Sequence, residues 1–198
     1  TPGAAKRLEQ AANRWPMKAF THYVAGEDDG SWFNSPEGID FLGTAEQLGL
    51  IASISMAPRH QNELRKAIER HPNLNFLFHH MSGLRAHGDD ARANVDNVIA
   101  TSKFPNAFLK LSGFHYLTNT TWNFPYKDTR WVYEECYEAF GTNMVWGSDF
   151  PVVKKSMTHL QALEAFSTHC DFVSEPDKQA ILGGTLKRLL TDARSVNK

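Results

Sequence analysis

Short apolar stretches alternate with longer amphipathic stretches along most of the chain. The apolar runs predict β-strands at residues 17–24, 50–56, 75–81, 107–112 and 143–148. These runs are almost continuously apolar, which is typical of parallel strands covered on both faces rather than strands with one face in water. The pattern therefore predicts an α/β protein built around a parallel sheet.

The amphipathic stretches predict helices at residues 4–13, 36–48, 62–70, 89–101, 129–140, 157–169 and 175–190. The second helix has the clearest limits. Asn34 or Ser35 can cap its start, Pro36 suits its first position, and Gly49 ends it. Because helices and strands alternate strictly, right-handed crossovers are expected throughout.

Five βα units fit two architectures. A doubly wound sheet can have five strands, whereas a closed (β/α)₈ barrel needs eight strands and typically about 250 residues. Ser55, His80, Ser112 and Asp149 each lie at or just past the C-terminal end of a predicted strand. Ligands bind at that edge in both architectures, so the candidate chemistry is expected there in either case.

Composition limits the classes of function. The chain has 198 residues, of which 41% are hydrophobic and 22% charged, with a net charge of -1. This suits one domain spanning residues 1–198, and interspersed charges argue against a nucleic-acid or membrane-surface partner. No apolar run approaches the roughly 18 residues of a membrane helix. Cys136 and Cys170 are interpreted as two reduced thiols, as expected for a cytoplasmic protein.

The stretch VWGSDFPVV, residues 145–153, carries the most specific signal. An apolar strand stops at Gly-Ser-Asp and is followed by Phe150 and Pro151. Asp149 can simply stabilise a strand-to-loop turn by accepting backbone N–H groups. Alternatively, the strand ends there to deliver a carboxylate that ligates a metal or takes a proton from water. Pro151 biases Phe150 towards an extended conformation, which would hold Asp149 at the edge.

Several segments together resemble the second amidohydrolase family of TIM-barrel hydrolases. VWGSDFPVV resembles the last strand of that family, and ILGGTLKRLL resembles its closing helix. LFHHMSG resembles the end of an earlier strand that carries a histidine, and FLKLSGF resembles the strand after it. The resemblance spans about residues 17–190, in family order. It implies a (β/α)₈ barrel that is represented here by its C-terminal part, with about five βα units. An open five-stranded parallel α/β domain is the alternative.

The chain also departs from the family pattern. The family begins with a strand carrying His-x-His, which supplies two metal ligands, and no His-x-His occurs in this sequence. His79 stands where an aspartate usually precedes the histidine, and Thr185 replaces the asparagine of the closing helix. The resemblance begins near the family's third or fourth strand, which implies that roughly three βα units are missing on the N-terminal side. The expected partners are therefore a missing N-terminal portion of the same protein or another copy in a homo-oligomer.

The resemblance implies roles for two residues. Asp149 would be the general base and a metal ligand, and His80 would be a metal ligand or a donor to the substrate carbonyl. Alternatively, the His80 ring only makes hydrogen bonds within the protein and has no functional role. Strand alternation predicts that His79 points the other way and packs behind the strand. Family members with and without a metal are known, so a divalent metal, zinc first, and no metal at all both stay open.

Four further residues are candidates for substrate binding. Arg85 follows the His80 strand and suits bidentate binding of a carboxylate. His115 and Tyr116 follow the next strand end, and His22 lies on the first strand. Each also has an ordinary interpretation, as a solvated arginine, as loop aromatics or as a packed histidine.

The expected activity is hydrolysis of a small-molecule lactone or a related cyclic ester or amide. The Gly-Ser-Asp-aromatic-Pro-Val motif resembles that of sugar-lactone and pyrone-dicarboxylate lactonases more than that of aromatic-acid decarboxylases. A metal-dependent non-oxidative decarboxylase is one alternative. A non-catalytic barrel segment that binds a partner is the other, and the missing His-x-His is its main support.

Overall fold

One parallel sheet organises the molecule. The computed structural model describes residues 2–193. Its strands are β1 (Ala19–Tyr23), β2 (Ile51–Ser55), β3 (Asn75–Phe78), β4 (Ala107–Leu111) and β5 (Met144–Trp146). They pair in parallel in the order β1-β2-β3-β4-β5. A doubly wound sheet would reverse its strand order at a switch point. The unbroken order is that of a barrel, so the expected barrel-type α/β fold with five strands is confirmed, and the barrel is incomplete in this part of the chain.

Helices connect and follow the strands. They are α1 (Ala4–Arg14), α2 (Pro36–Gln47), α3 (Gln61–Arg70), α4 (Ala91–Ile99), α5 (Arg130–Phe140), α6 (His159–Ser167), α7 (Glu175–Gln179) and α8 (Thr185–Asp192). The last two were expected to be one helix, and a π-helical turn, Ala180–Gly184, separates them. The interruption falls at Gly183-Gly184, where the lack of side chains makes a regular helix least favourable.

The start of α2 shows how local sequence fixes an element. Ser35 is the N-cap, and its Oγ accepts a hydrogen bond from the Gly38 N–H at 3.1 Å, with Pro36 at the first helical position. A Cβ at Gly38 would lie 1.9 Å from the carbonyl oxygen of Trp32, so only glycine fits there. Gly49 follows the helix at φ 64°. Of the two predicted caps, Ser35 is therefore the one used.

The outer face of the sheet forms the main core with the helices. Its side chains are fully or almost fully buried, and they include Ala52, Ile54, Phe76, Phe78, Leu109 and Leu111. Burying each large side chain of this kind stabilises the fold by about 1.5–3 kcal/mol. The helices on this face therefore fix the positions of the strand ends.

The inner face is divided into an apolar lower half and a polar upper half. The lower half packs against the end of the chain, through Ile51, Leu77, Phe108, Val145, Leu189 and Ala193. The Lys18 ammonium also donates a hydrogen bond to the Ala193 carbonyl at 2.5 Å. The C-terminal helix thus closes the lower end of the inner face. The polar residues lie above it, at the C-terminal ends of the strands.

The margins of the sheet remain open within residues 2–193. β1 and β5 each pair with one strand only in this part of the chain. On the inner side of β1, Tyr23 is 70% exposed. None of the helices found between residues 2 and 193 combines the length and the apolar character needed to cross a membrane.

Candidate active site

Residues that follow β3, β4 and β5 meet at the C-terminal edge of the sheet. His80 lies just after β3, Ser112 just after β4 and Asp149 just after β5. His80 Nδ1 is 2.9 Å from Ser112 Oγ, and His80 Nε2 is 3.6 Å from Asp149 Oδ1. The structure therefore brings the two predicted catalytic residues together at the predicted edge.

Both residues have an unusual backbone. His80, Met81 and Ser82 have φ of 46°, 52° and 58°, and Gly83 continues the left-handed turn at 70°. Asp149 has φ 58°. A left-handed conformation costs an L-residue roughly 1–2 kcal/mol, and such strain is concentrated at functional sites when the surrounding structure holds it. Two of the residues that adopt it are the proposed catalytic pair.

Asp149 has a second partner. The Tyr116 hydroxyl donates a hydrogen bond to Asp149 Oδ2 at 2.6 Å. Burial, together with this bond to a carboxylate, raises the pKa of Tyr116 to about 12, so the phenol keeps its proton and remains a donor at neutral pH. Gly113 leaves room for the ring, because a Cβ there would lie 2.3 Å from Tyr116 Cδ2. Tyr116, predicted as a substrate-binding residue, thus lies against the carboxylate.

His80 is held as a neutral imidazole. Burial lowers its pKa below the ordinary histidine value, the Asp149 carboxylate opposes this shift, and the Lys110 ammonium adds to it. Its Nδ1 bond to the buried Ser112 hydroxyl suits two tautomers. If the hydroxyl donates to Nδ1, the imidazole proton lies on Nε2, the nitrogen facing Asp149.

His79 does not pack behind the strand as expected. It lies on the inner face, where its Nε2 is 2.5 Å from Ser53 Oγ and its ring centroid is 5.6 Å from that of His80. Burial, and then the charges of Lys110 and His80, lower its pKa to about 4. Leu77 and His79 lie on alternate residues and share the inner face, so alternation holds as far as His79. The prediction was wrong because the left-handed turn that begins at His80 brings His80 to the same side.

Lys110 is a site residue that was not among the candidates. It pairs with Val145 across β4 and β5 and shares the inner face with it. A Cβ on Gly147 would lie 2.8 Å from Lys110 Cε, so the missing side chain makes room for the lysine. Within the part of the chain that the structure describes, no hydrogen bond or ion pair reaches its ammonium. Its position between Phe108 and Ser112 on alternate residues of β4 was the available signal.

Two other candidates border the cluster through Tyr116. The exposed Arg85 donates a hydrogen bond to the Tyr116 carbonyl. The buried His115 ring lies 4.0 Å from the Tyr116 ring, centroid to centroid, and its Nδ1 has no hydrogen-bond partner among residues 2–193. Burial lowers the pKa of His115. Contact of either residue with substrate stays a prediction.

His22 lies on the wrong side of the sheet for the predicted role. In β1 it pairs with Ile54, an outer-face residue, and its ring stacks on Trp32 with centroids 4.6 Å apart. Thr21 and Tyr23 face the inner side instead, and the Tyr23 ring approaches that of His79. The structure therefore separates His22 from the cluster, because alternation assigns it to the helix layer.

The residues that the structure describes do not form a complete zinc site. Protein zinc sites use three or four protein ligands. His80 and Asp149 supply two donors, and the nearby His79 Nε2 is already bonded to Ser53. Between residues 2 and 193 no group of three or more His, Cys, Asp or Glu side chains is arranged to hold a metal ion. Metal binding by His80 and Asp149 therefore stays a prediction.

A separate cavity of about 360 Å³ lies on the helix side, next to α5 and α6. Its walls include Tyr126, Arg130, His169 and Cys170. Arg130 is already paired with Asp171 at 2.6 Å. Tyr126 in the cavity wall is also left-handed, at φ 62°, so backbone strain does not separate the two places. The convergence of His80, Tyr116 and Asp149 at the C-terminal edge of the sheet favours the His80–Asp149 cluster.

Several solved structures have a similar fold. An amidohydrolase from Burkholderia multivorans, solved with bound HEPES, matches with a TM-score of 0.84 at 17% identity, covering 96% of this chain and 70% of its own. Another structure of an amidohydrolase from this organism holds zinc and matches at 0.80 and 18%, with coverages of 96% and 70%. A probable 2-pyrone-4,6-dicarboxylic acid hydrolase from Acinetobacter baumannii with citric acid bound matches at 0.76 and 18%, with coverages of 94% and 68%.

The fold is also shared with a different chemistry. A 2,6-dihydroxybenzoate decarboxylase from Rhizobium matches with a TM-score of 0.64 at 14% identity, covering 94% of this chain and 66% of its own. At these identities the likeness concerns the fold. A search of the curated proteins finds no significant match. The family model described as Amidohydrolase (Amidohydro_2) matches residues 2–191, almost the whole chain. The chain therefore belongs to this amidohydrolase family.

Proposed function

We propose that this protein hydrolyses a lactone or a related cyclic ester or amide with water activated by Asp149. The carrying observation is the 3.6 Å separation of Asp149 Oδ1 and His80 Nε2 at the C-terminal edge of the sheet. This distance is too long for a good hydrogen bond between the two groups. A base and a donor therefore lie side by side at this edge, and in the proposal a water and a carbonyl group bind next to them.

Asp149 is the general base in this proposal. Its Oδ1 accepts a proton from water while the water oxygen forms a bond to the carbonyl carbon. The Tyr116 hydroxyl occupies Oδ2 and keeps the carboxylate from rotating. The other oxygen is therefore the one presented to the water.

His80 is the electrophilic partner. With Nδ1 accepting the Ser112 hydroxyl proton, Nε2–H donates to the carbonyl oxygen as negative charge develops on it. When the tetrahedral intermediate collapses, the ring C–O bond breaks and Asp149 returns its proton to the leaving alkoxide. One water is consumed, and a hydroxy acid is the product.

Lys110 favours an anionic substrate. Its ammonium lies on the inner face near His79 and His80 and lowers the pKa of both. No anionic partner within residues 2–193 neutralises it. A carboxylate on the lactone would supply that partner, with Arg85 as a second cation at the margin of the cluster. The citrate-bound pyrone-dicarboxylate hydrolase of similar fold lends support to this substrate class.

Two features of the complete protein are also part of the proposal. A divalent metal, zinc first, would bind His80 and Asp149 only with further ligands from outside residues 2–193. The open margins at β1 and β5 would be covered by an N-terminal portion of the same protein or by a second copy. Light scattering on the purified chain tests whether a second copy binds, since a dimer would have twice the 22.3 kDa mass of one chain.

The decisive experiment is acid release from a panel of lactones. Sugar lactones and 2-pyrone-4,6-dicarboxylate are incubated with the protein, with and without added zinc chloride, and proton release is followed by pH-stat. The proposal expects release that Asp149→Asn abolishes and Asp171→Asn, a change at an exposed carboxylate, leaves intact. CO₂ release from 2,6-dihydroxybenzoate without lactone hydrolysis would instead support a decarboxylase. If neither lactone hydrolysis nor CO₂ release is detected, the result would support the non-catalytic alternative.

A further inference from the structure

A turn of three consecutive non-glycine residues in the left-handed conformation needs support. The residues concerned are His80, Met81 and Ser82. Met81 and Ser82 are completely buried, so the support must come from inside the molecule. We infer that Gln61 is a positioning residue, which holds this turn through Ser82 and thereby aims His80 at Asp149.

The contact between Gln61 and the turn is direct. Gln61 Nε2 donates to Ser82 Oγ at 2.9 Å, and Thr101 Oγ1 donates to Gln61 Oε1 at 2.8 Å. All three side chains are fully buried. Leaving any of these buried polar groups without a partner is unfavourable, so this arrangement has few alternatives inside the core. Ser82 is therefore fixed two residues from His80.

Two helices anchor the other end of this chain of bonds. Gln61 is the first residue of α3, and Thr101 lies just beyond α4. Arg65, one turn further along α3, donates to Thr101 Oγ1 at 3.0 Å and to the Asn97 carbonyl at 2.7 Å. The bonds thus lock α3 and α4 together behind the turn.

His80 is consequently held from two sides. Ser112 contacts its ring at Nδ1, and the Gln61–Ser82 bond fixes the backbone that follows it. If the second contact is lost, Ser82 can relax towards φ below zero, and the backbone change carries the imidazole away from Asp149. The ordinary interpretation is that Gln61 only satisfies buried groups and has no influence on His80.

The test replaces Gln61 by leucine, alone and together with Ser82→Gly. Glycine adopts positive φ without strain and removes the hydroxyl that leucine leaves unpaired. We expect Gln61→Leu to lower kcat by about 10- to 100-fold with little change in KM, as a displaced catalytic group does. The double variant should recover most of the loss.

NMR reads the position of His80 without any substrate. Backbone ¹³C shifts of residues 80–82 report the sign of φ, and the ¹⁵N shift of His80 Nδ1 reports its bond to Ser112. Both should change in Gln61→Leu and return in the double variant. Because this part depends on the positioning of His80 and not on turnover, it still decides the inference if the proposed lactone hydrolysis fails.

A matched control is available at another buried amide. Asn106 donates to the carbonyls of His71 and Leu74 at 3.0 and 2.9 Å, far from the turn. Asn106→Leu should lower stability and leave the shifts of residues 80–82 unchanged. If Gln61→Leu does not fold, Thr101→Val removes the bond that orients the Gln61 amide with little change in shape and should give the same shift changes, smaller. A folded Gln61→Leu or Thr101→Val with native shifts at residues 80–82 would overturn the inference.

Discussion

His80 and Asp149 share a rare backbone conformation, and their side chains lie close together at the edge of the sheet. Their φ angles are 46° and 58°, and His80 Nε2 lies 3.6 Å from Asp149 Oδ1. β4 lies between the two strands that carry them, so side chains on regular extended strands would not come together. A left-handed residue just past each strand turns its side chain sideways along the edge. The strain is thus linked directly to the meeting of the two groups.

Asp149→Asn should abolish activity and leave the fold intact. The change removes the base, which typically costs about 10²–10⁴-fold in rate. Asparagine is among the residues that tolerate the left-handed conformation best, so the backbone at φ 58° should persist. Initial rates and thermal melts on the same preparation check both parts. A variant that keeps more than half of the wild-type rate would contradict the role of Asp149 as base.

Tyr116→Phe should lower kcat more than it raises KM. The substitution keeps the ring and removes the hydroxyl that donates to Asp149 Oδ2 at 2.6 Å. A hydrogen bond to a charged group contributes about 1.5–3 kcal/mol, which corresponds to roughly 10- to 100-fold in rate. Steady-state kinetics measure the split. If KM rises and kcat is unchanged, Tyr116 binds the substrate directly, as first predicted, and does not orient the carboxylate.

The sequence was sufficient for the strands of the fold and for placing His80 and Asp149 near each other at the edge of the sheet. Every predicted strand exists, because continuous apolar runs leave few other interpretations. The main error concerned residues 79–81, which lie beyond the end of β3 in a segment that becomes left-handed at His80. Methionine and serine do not favour positive φ, and histidine adopts it only in a small minority of cases, so local preference does not indicate three such residues in a row. Contacts from Gln61 and Ser112 hold it, and they come from other elements.

The remaining misassignments concern which face of the sheet a residue occupies. His22 was placed in the site and Lys110 was not, because the inner face of each strand is decided by register with its neighbours. The pairs His22–Ile54 and Lys110–Val145 settle the matter in the structure. The mostly apolar strands give little alternation from which to read the two faces, and the alternate spacing of Lys110 and Ser112 was a signal left unused.

Lys110→Met should weaken the binding of anionic lactones selectively. Methionine keeps much of the length and removes the ammonium, so KM for 2-pyrone-4,6-dicarboxylate should rise about tenfold or more, in line with the loss of a charge-assisted contact. KM for a neutral sugar lactone should be unchanged, and Lys110→Arg should retain most of the affinity for the anion. Equal effects on both substrates would show that Lys110 acts on packing or on the histidines instead.

Acid should destabilise the protein through His79. Burial and the neighbouring positive charges lower the pKa of His79 from 6.5 to about 4, so the folded state prefers its neutral form. A lowered pKa gives stability that is complete above 6.5 and is lost as the pH falls towards 4, by about 3 kcal/mol in total. Burial shifts the pKa values of His80 and His115 in the same direction. Urea unfolding of the wild type and of His79→Gln, whose amide can still bond Ser53, measures the contribution. The difference in unfolding free energy between the two proteins should shrink on going from pH 7 to pH 4, and a difference independent of pH would show that His79 does not titrate as a buried neutral group.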